Sequence, residues 1–210
     1  KVRKVDEIIA VATAAGRRAP NRDIMLTALE RETGIKVRVL SGEDEGHLDY
    51  VGVVNTISPE TGLIIDVGGG STKLVGYRDR LKEKAVTLPF GIVTLTQKFG
   101  MSDQIEAASL HALEETLSQE FGRIPWIGQY DTLIALGGTA RTLARIDRRR
   151  QGYKPDVTHG YEMDAEAVAG IYRRLADLDL QGRWRVPGMS LERADVLVAG
   201  IGVINQLLKV

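Results

Sequence analysis

The chain has 210 residues, 43 % of them hydrophobic and 27 % charged. That is the balance of a globular protein with room for one large domain or two small lobes. It holds no cysteine, which excludes disulfides and cysteine metal sites and fits a reducing compartment. Its 28 basic and 28 acidic residues cancel, yet basic clusters stand out at Arg17, Arg18 and Arg22, at Arg141, Arg145 and 148–150, and at Arg183 and Arg185. Such clusters can hold a polyanion locally, although charge runs usually face water.

Lys1 to Val11 reads as a charged turn running into a strand, as though the chain began inside a larger protein. Ile8 to Thr13 predicts a short buried strand. A helix follows with Asn21 as N-cap; it runs to Thr33 and is stopped by Gly34, with an imperfect apolar stripe of Ile24, Leu26, Ala28 and Leu29. Lys36 to Leu40 alternates like a strand. Ser41 caps a helix from Gly42 to about Val54, with Asp44 imitating the capping-box carboxylate. Asn55 to Gly62 has linker composition. Leu63 to Val67, Thr72 to Tyr77 and Lys84 to Leu88 read as three strands. Helices follow at Gly91 to Phe99 and at Asp103 to Phe121, the second capped by Ser102 and closed by Gly122. Thr132 to Leu136 is a strand, and Thr139 to about Arg149 a helix. Asp164 caps another, with Val168, Ile171 and Leu175 inward. Ser190 caps the last, from Leu191 to Leu208, apolar nearly all round and carrying Gly200 and Gly202; it should be buried and closely packed. Helices and strands alternate loosely, with hairpins among them, so the fold class is α/β with a mixed sheet.

The most informative stretch is DVGGGSTKLV at 66–75. A strand delivers Asp66. Gly68, Gly69 and Gly70 allow positive φ and carry no Cβ, so backbone N–H groups can approach an anion closely. Ser71 and Thr72 add hydroxyl donors. A strand follows, and neither the GxxxxGK[ST] nor the GxGxxG pattern is met, since Lys73 stands where the last glycine belongs. What remains is a strand–turn–strand phosphate hairpin, with a plain glycine-rich turn as the alternative. LGGTARTLA at 136–144 sets Gly137, Gly138 and Thr139 at a helix start, where N–H groups favour anions; Thr139 serves equally well as a cap. Arg17 and Asn21, in ATAAGRRAPN, could meet a phosphate chain or simply form a surface turn. Among Glu43, Asp44 and Glu45, one acid is either a general base or metal acid, or only an offset to the helix dipole. Beside a phosphate site the pKa of a carboxylate should rise, as a base needs. The three histidines, His47, His111 and His159, lack metal spacing. Aromatics amount to 5 % and form no base-stacking pattern, so no nucleic-acid partner is expected. No apolar run reaches the about 18 residues of a membrane span, and no signal peptide is visible.

The strings ATAAGRRAPN, VLSGEDEGHLDYVGV, GLIIDVGGGSTKLV, LPFGIVTLTQKF, LIALGGTARTLA and ERADVLVAG together resemble the exopolyphosphatase / guanosine pentaphosphate phosphatase family, within the actin-like, sugar-kinase and heat-shock ATPase superfamily. The resemblance implies a ribonuclease-H-like, actin-type fold of two lobes with mixed sheets flanked by helices and the site in the cleft. Residues 1–58 would be the C-terminal part of an incomplete first lobe, and 59–210 the second lobe with the phosphate hairpin. It further implies Mg²⁺-assisted release of terminal phosphate from polyphosphate or guanosine pentaphosphate, a cytoplasmic location and pairing into a homodimer. By motif, Glu45 matches the acid that activates water, Asp66 the acid that positions Mg²⁺, and Gly68 to Thr72 the second phosphate loop. Arg17 and Asn21 match channel-lining groups, and Gly137, Gly138 and Thr139 a further loop on the cleft.

Two departures stand out. The family shows GGGSTE, and here Lys73 replaces the Glu, which either weakens metal binding or lets Lys73 neutralise phosphate directly. The family's first phosphate loop, an Asp-x-Gly hairpin, is not in these residues. A module that binds penta- or tetraphosphate nucleotides or polyphosphate without turnover is therefore the first alternative, and an ATP-dependent kinase of the same superfamily the second.

Overall fold

The structure, a computed structural model, describes residues 5–153 and 157–210. Of the charged turn and strand expected over Lys1 to Val11, the first four residues lie outside them. Its centre is a four-stranded mixed sheet in the order β5-β4-β3-β6. Strands β3 (Gly62–Val67), β4 (Thr72–Arg78) and β5 (Leu81–Leu88) form an antiparallel meander, and β6 (Leu133–Leu136) joins β3 in parallel. The mixed sheet expected from the sequence is thus present. Strand β5 starts three residues before the expected Lys84, because Asp79 and Arg80 make a tight hairpin with positive φ. Its exposed, charged start, with Lys82, Glu83 and Lys84, carries little apolar signal and suits a sheet edge.

Both faces of the sheet are covered, which is why GLIIDV reads as a continuous apolar run rather than an alternating one. Leu63, Ile65, Val67 and Leu74 face one core with helices α4 (Ile92–Phe99), α5 (Ala107–Gly122), α6 (Gly137–Arg150), α7 (Ala165–Ala176) and α9 (Leu197–Leu207). Ile64, Val75 and Tyr77 face α3 (Gly42–Val54) through Val53. Helix α9 is buried on all sides, as its composition predicts. A Cβ on Gly200 would lie 2.6 Å from Ile92 and 2.9 Å from the Thr139 hydroxyl, so that glycine is what lets α9 approach α4 and α6.

Two helix starts differ from the sequence reading, and one residue explains both. Arg183, in the short α8 (Leu180–Trp184), is fully buried rather than part of a solvated cluster. Its guanidinium donates to the carbonyls of Leu175 (3.1 Å), Ser102 (3.2 Å), Ala194 (3.4 Å) and Asp103. Asp103 in turn accepts from the Leu180 N–H at 2.8 Å. Residues 102–103 are therefore held as a loop, and α5 begins at Ala107 without a Ser102 cap. With the Ala194 carbonyl taken as well, 191–193 form only a 3-10 turn and α9 begins at Leu197 rather than Leu191.

The rest of the chain forms a smaller unit. Strands β1 (Ala10–Ala12) and β2 (Val37–Val39) pair in parallel, linked by α1 (Ala14–Arg18) and α2 (Arg22–Thr33). The strand expected to be buried at Ile8 to Thr13 is short and open, with Ile8, Ile9 and Val11 exposed. Helix α2 buries no residue, in keeping with its broken stripe. Helix α3 has the expected cap: the Ser41 hydroxyl accepts from the Asp44 N–H at 3.0 Å, and the Asp44 carboxylate accepts from the Ser41 N–H at 3.0 Å.

Candidate active site

The β3–β4 register sets Asp66 directly opposite Lys73, so their side chains leave the sheet on one face, the face covered by α3. There Lys73 Nζ donates to Asp66 Oδ2 at 3.0 Å and pairs with Glu45 Oε2 at 2.6 Å. Arg17 Nη1 from α1 reaches the other oxygen of Glu45, also at 2.6 Å, and holds the Leu40 carbonyl. An unbroken ionic row, Arg17–Glu45–Lys73–Asp66, joins the smaller unit to the sheet. Glu45 and Lys73 are both buried.

Between Asp66 and Lys73 the chain turns through Gly68, Gly69, Gly70 and Ser71, the strand–turn–strand hairpin expected from the sequence. The Gly68 N–H donates to the Ser71 carbonyl at 2.9 Å. The carbonyls of Gly68 and Gly69 accept from the N–H groups of Ile92 and Val93, each at 2.9 Å, at the start of α4. The carbonyls thus point into α4, and among the described residues no backbone bond uses the N–H of Gly69 or Gly70. An N–H pair left over in this way is an anion cradle. The glycines work by lacking Cβ and not, as expected, by positive φ, which none of the three adopts. A Cβ on Gly68 would lie 3.0 Å from the Ser71 carbonyl oxygen and 3.6 Å from Lys73 Nζ, and one on Gly70 3.3 Å from Arg18 Nη1.

The hydroxyls expected as further donors are engaged or enclosed. Thr72 donates to the Phe90 carbonyl at 2.9 Å, and the Ser71 oxygen is buried without a partner. The β6–α6 loop comes up beside Asp66. Gly137 has φ +83°, and a Cβ there would lie 3.0 Å from Asp66 Oδ1. Helix α6 begins at Gly137, directly after β6, so Thr139 is not its cap; it is fully buried, with its side chain packed on Gly200. Asn21, at the start of α2, is exposed and makes no recorded contact with this row.

Three residues were missed by sequence reasoning. Arg18 Nη1 donates to the Gly70 carbonyl at 2.7 Å, tying the smaller unit to the hairpin tip. The Arg193 guanidinium lies over Gly138, where a Cβ would be 2.4 Å from Cζ. Asp49 lies one turn beyond Glu45 on α3, with Oδ2 buried and unpartnered. Its i,i+4 spacing from Glu45 was the available signal.

The electrostatics reverse one expectation. Glu45 was expected to have a raised pKa. Burial does push it up, but its hydrogen bonds to Lys73 and Arg17 outweigh burial and hold it below the ordinary carboxylate value. Asp49 takes the upward shift instead: burial, then the Asp66 charge, lift it to about 6 against the pull of Lys73. Lys73 itself is held above the usual lysine value, because the Glu45 and Asp66 partners outweigh burial.

The Mg²⁺ implied by the resemblance needs at least one or two carboxylate oxygens free to take it at about 2.0–2.1 Å, with water or phosphate oxygens completing an octahedron. Here the ammonium of Lys73 fills the space between Glu45 and Asp66. Among the described residues no group of three or more His, Cys, Asp or Glu side chains could hold a metal. The side chains present do not fit the ion.

Comparison with known proteins identifies the family of the chain. The model of the Ppx/GppA phosphatase family matches residues 1–210. The chain is 32 % identical over 203 residues to Exopolyphosphatase 1 of Mycobacterium leprae, covering 92 % of this chain and 59 % of that protein. It is 31 % identical over 202 residues to the guanosine-5'-triphosphate,3'-diphosphate pyrophosphatase of Vibrio campbellii, covering 92 % of this chain and 38 % of the relative. The chain therefore spans only part of the length of these relatives. The crystal structure of the Aquifex aeolicus Ppx/GppA family member superposes with a TM-score of 0.82 at 31 % identity, over 98 % of this chain and 67 % of that one. The sheets and helices are thus of the actin-like ATPase type expected from the sequence, and the chain belongs to the Ppx/GppA phosphatase family.

Proposed function

We propose that the protein hydrolyses a terminal phosphoanhydride, releasing phosphate from inorganic polyphosphate or the 5′ γ-phosphate from guanosine pentaphosphate. The observation that carries this reading is the meeting of an N–H cradle, two cations and a buried carboxylate within one cleft: Gly69 and Gly70, Arg17 and Lys73, and Glu45. Phosphoryl transfer needs placement and charge neutralisation more than covalent help. The terminal phosphate lies on the free N–H groups, draws Arg17 onto its oxygens and accepts a hydrogen bond from Lys73, which stays on the carboxylates. Glu45 then loses Arg17, one of the two partners that depress its pKa, and the phosphate charge beside it raises its proton affinity further. Water attacks phosphorus in line, its proton passes to Glu45, and the bridging P–O bond breaks, with the shortened chain keeping the electron pair.

Phosphate release by the full-length protein from both substrates tests the reading. Glu45→Gln should lower kcat by about a hundredfold or more. Undiminished release would remove Glu45 as the base. One observation favours a second reading, a module that binds without turnover: Glu45 is paired on both oxygens, and a base so neutralised stays silent unless substrate frees it. Tight polyphosphate binding with no phosphate release would establish that module, and turnover at enzyme-like rates would remove it.

A further inference from the structure

We propose that Lys73 Nζ is the resident cation of this site, so that the protein binds the terminal phosphate of a polyphosphate or nucleotide chain without holding a divalent metal ion. The inference rests on the phosphate-site reading above and names the group that neutralises the ligand.

The argument begins with register. Position 73 pairs with position 66 across a four-residue turn, so the side chain leaves the sheet on the same face as Asp66. The ammonium has three donors. One meets Glu45 Oε2 at 2.6 Å and one Asp66 Oδ2 at 3.0 Å, and the third is left for another acceptor. The hairpin is close by: Nζ lies 3.6 Å from where a Gly68 Cβ would be, and Gly69 and Gly70 with their free N–H groups follow directly. A phosphate oxygen placed on that cradle is therefore within reach of the third donor. Arg17 on the far side of Glu45 and Arg18 at the hairpin tip add two more cations from a second element.

A divalent ion between Glu45 and Asp66 would take over carboxylate oxygens that now face Lys73. It would have to expel a buried ammonium that already has two short ionic contacts, and leave that ammonium without partners in a buried position, a costly exchange. A fixed ammonium needs no such exchange. It is a point charge suited to phosphate, delivered by the sheet.

The test separates binding from turnover. Binding of inorganic polyphosphate to the full-length protein is measured calorimetrically, with EDTA and again with Mg²⁺, for wild type, Lys73→Met and Lys73→Glu. Mn²⁺ binding to the ligand-free proteins is read by electron paramagnetic resonance. Wild-type affinity should be the same in both buffers, and wild type should bind no Mn²⁺ in the cleft. Lys73→Met should lose about tenfold or more of its affinity in EDTA, the loss of one charge-assisted hydrogen bond. Lys73→Glu should bind Mn²⁺ and regain polyphosphate affinity only with a divalent ion. Loss of wild-type binding in EDTA, or tight metal-free binding by Lys73→Met, overturns the proposal. Should Lys73→Met fail to fold, the Mn²⁺ measurement on wild type decides: an occupied site overturns it and an empty one supports it. Metal-free binding without phosphate release leaves the inference standing and removes hydrolysis. Phosphate release with binding that depends on Mg²⁺ does the reverse.

Discussion

Residues 5–40 and the four-stranded sheet with its helices are built on different terms, and the site lies where they meet. In the first region only Ala14 and Leu40 are buried apolar residues, while Ile8, Ile9, Val11, Ile24, Met25 and Leu29 are exposed. In the second, Ile64, Ile65, Leu74, Leu113, Leu117 and Leu175 are at most 1 % exposed. The sheet region is held by apolar burial and provides the fixed parts of the site, Asp66, Lys73 and the hairpin. The smaller region is joined to it through charge, by Arg17 on Glu45 and Arg18 on Gly70. Two cations of the site, Arg17 and Arg18, thus sit on the loosely packed side. A phosphate that takes over Arg17 would therefore meet little resistance from packing.

The most severe test of this contrast is a pair of truncations. Leu74→Ala, at a fully buried position, should cost about 3 kcal/mol of global stability, whereas Leu29→Ala on α2 should cost less than about 0.5 kcal/mol. Urea denaturation of the two variants gives both numbers, and equal losses would break the comparison. The next test concerns the joint. Arg17→Ala removes the contacts to Glu45 and to the Leu40 carbonyl. Amides of β1 and β2 should then exchange faster by a factor equivalent to about 1.5 kcal/mol, while those of β3 and β4 keep their protection. Equal acceleration in both sheets would show that the two regions open as one.

The sheet region was also the more legible one in the sequence. Three glycines between two apolar runs give the hairpin from local residues alone, and a four-residue turn then sets 66 against 73. The Ser41–Asp44 cap was legible for the same reason. What failed depended on partners far along the chain. Arg183 reads as one more exposed arginine, yet its carbonyl acceptors at 102, 103 and 194 make it a buried pin and move the starts of two helices. Arg18 and Arg193 belong to the site only because the fold brings them over glycines at 70 and 138. The downward shift of Glu45 could not be read either, since its two cations come from α1 and β4. Short elements such as α1 and α8 span too few residues for a periodic pattern to register.

The finest test sharpens the joint between the regions through Asp49. Its carboxyl is lifted to about 6, first by burial and then by the Asp66 charge, with Glu45 adding and Lys73 opposing. A raised carboxyl keeps its proton longer in the native protein than in the unfolded chain, so its contribution to stability is full below the ordinary carboxylate pKa. That contribution is lost as pH rises toward 6 and stays lost above it. Asn at this position keeps the shape and never takes the charge. Asp49→Asn should therefore stabilise the protein by about 1 kcal/mol at pH 7, a figure already discounted for the partial exposure of the group. It should do nothing near pH 4. The difference between the variant and wild type, followed by thermal denaturation across that range, should open between pH 4 and 6. If it opened in the other direction, Asp49 would be a partner stabilised by the cations, and the uncompensated charge beneath α3 would lie elsewhere. If it opened as expected while Glu45→Gln destabilised the protein at neutral pH, the two acids, one turn apart on one helix, would be in opposite electrostatic states. The cations of the joint hold the charge of Glu45 and leave Asp49 to take up a proton first as the pH falls.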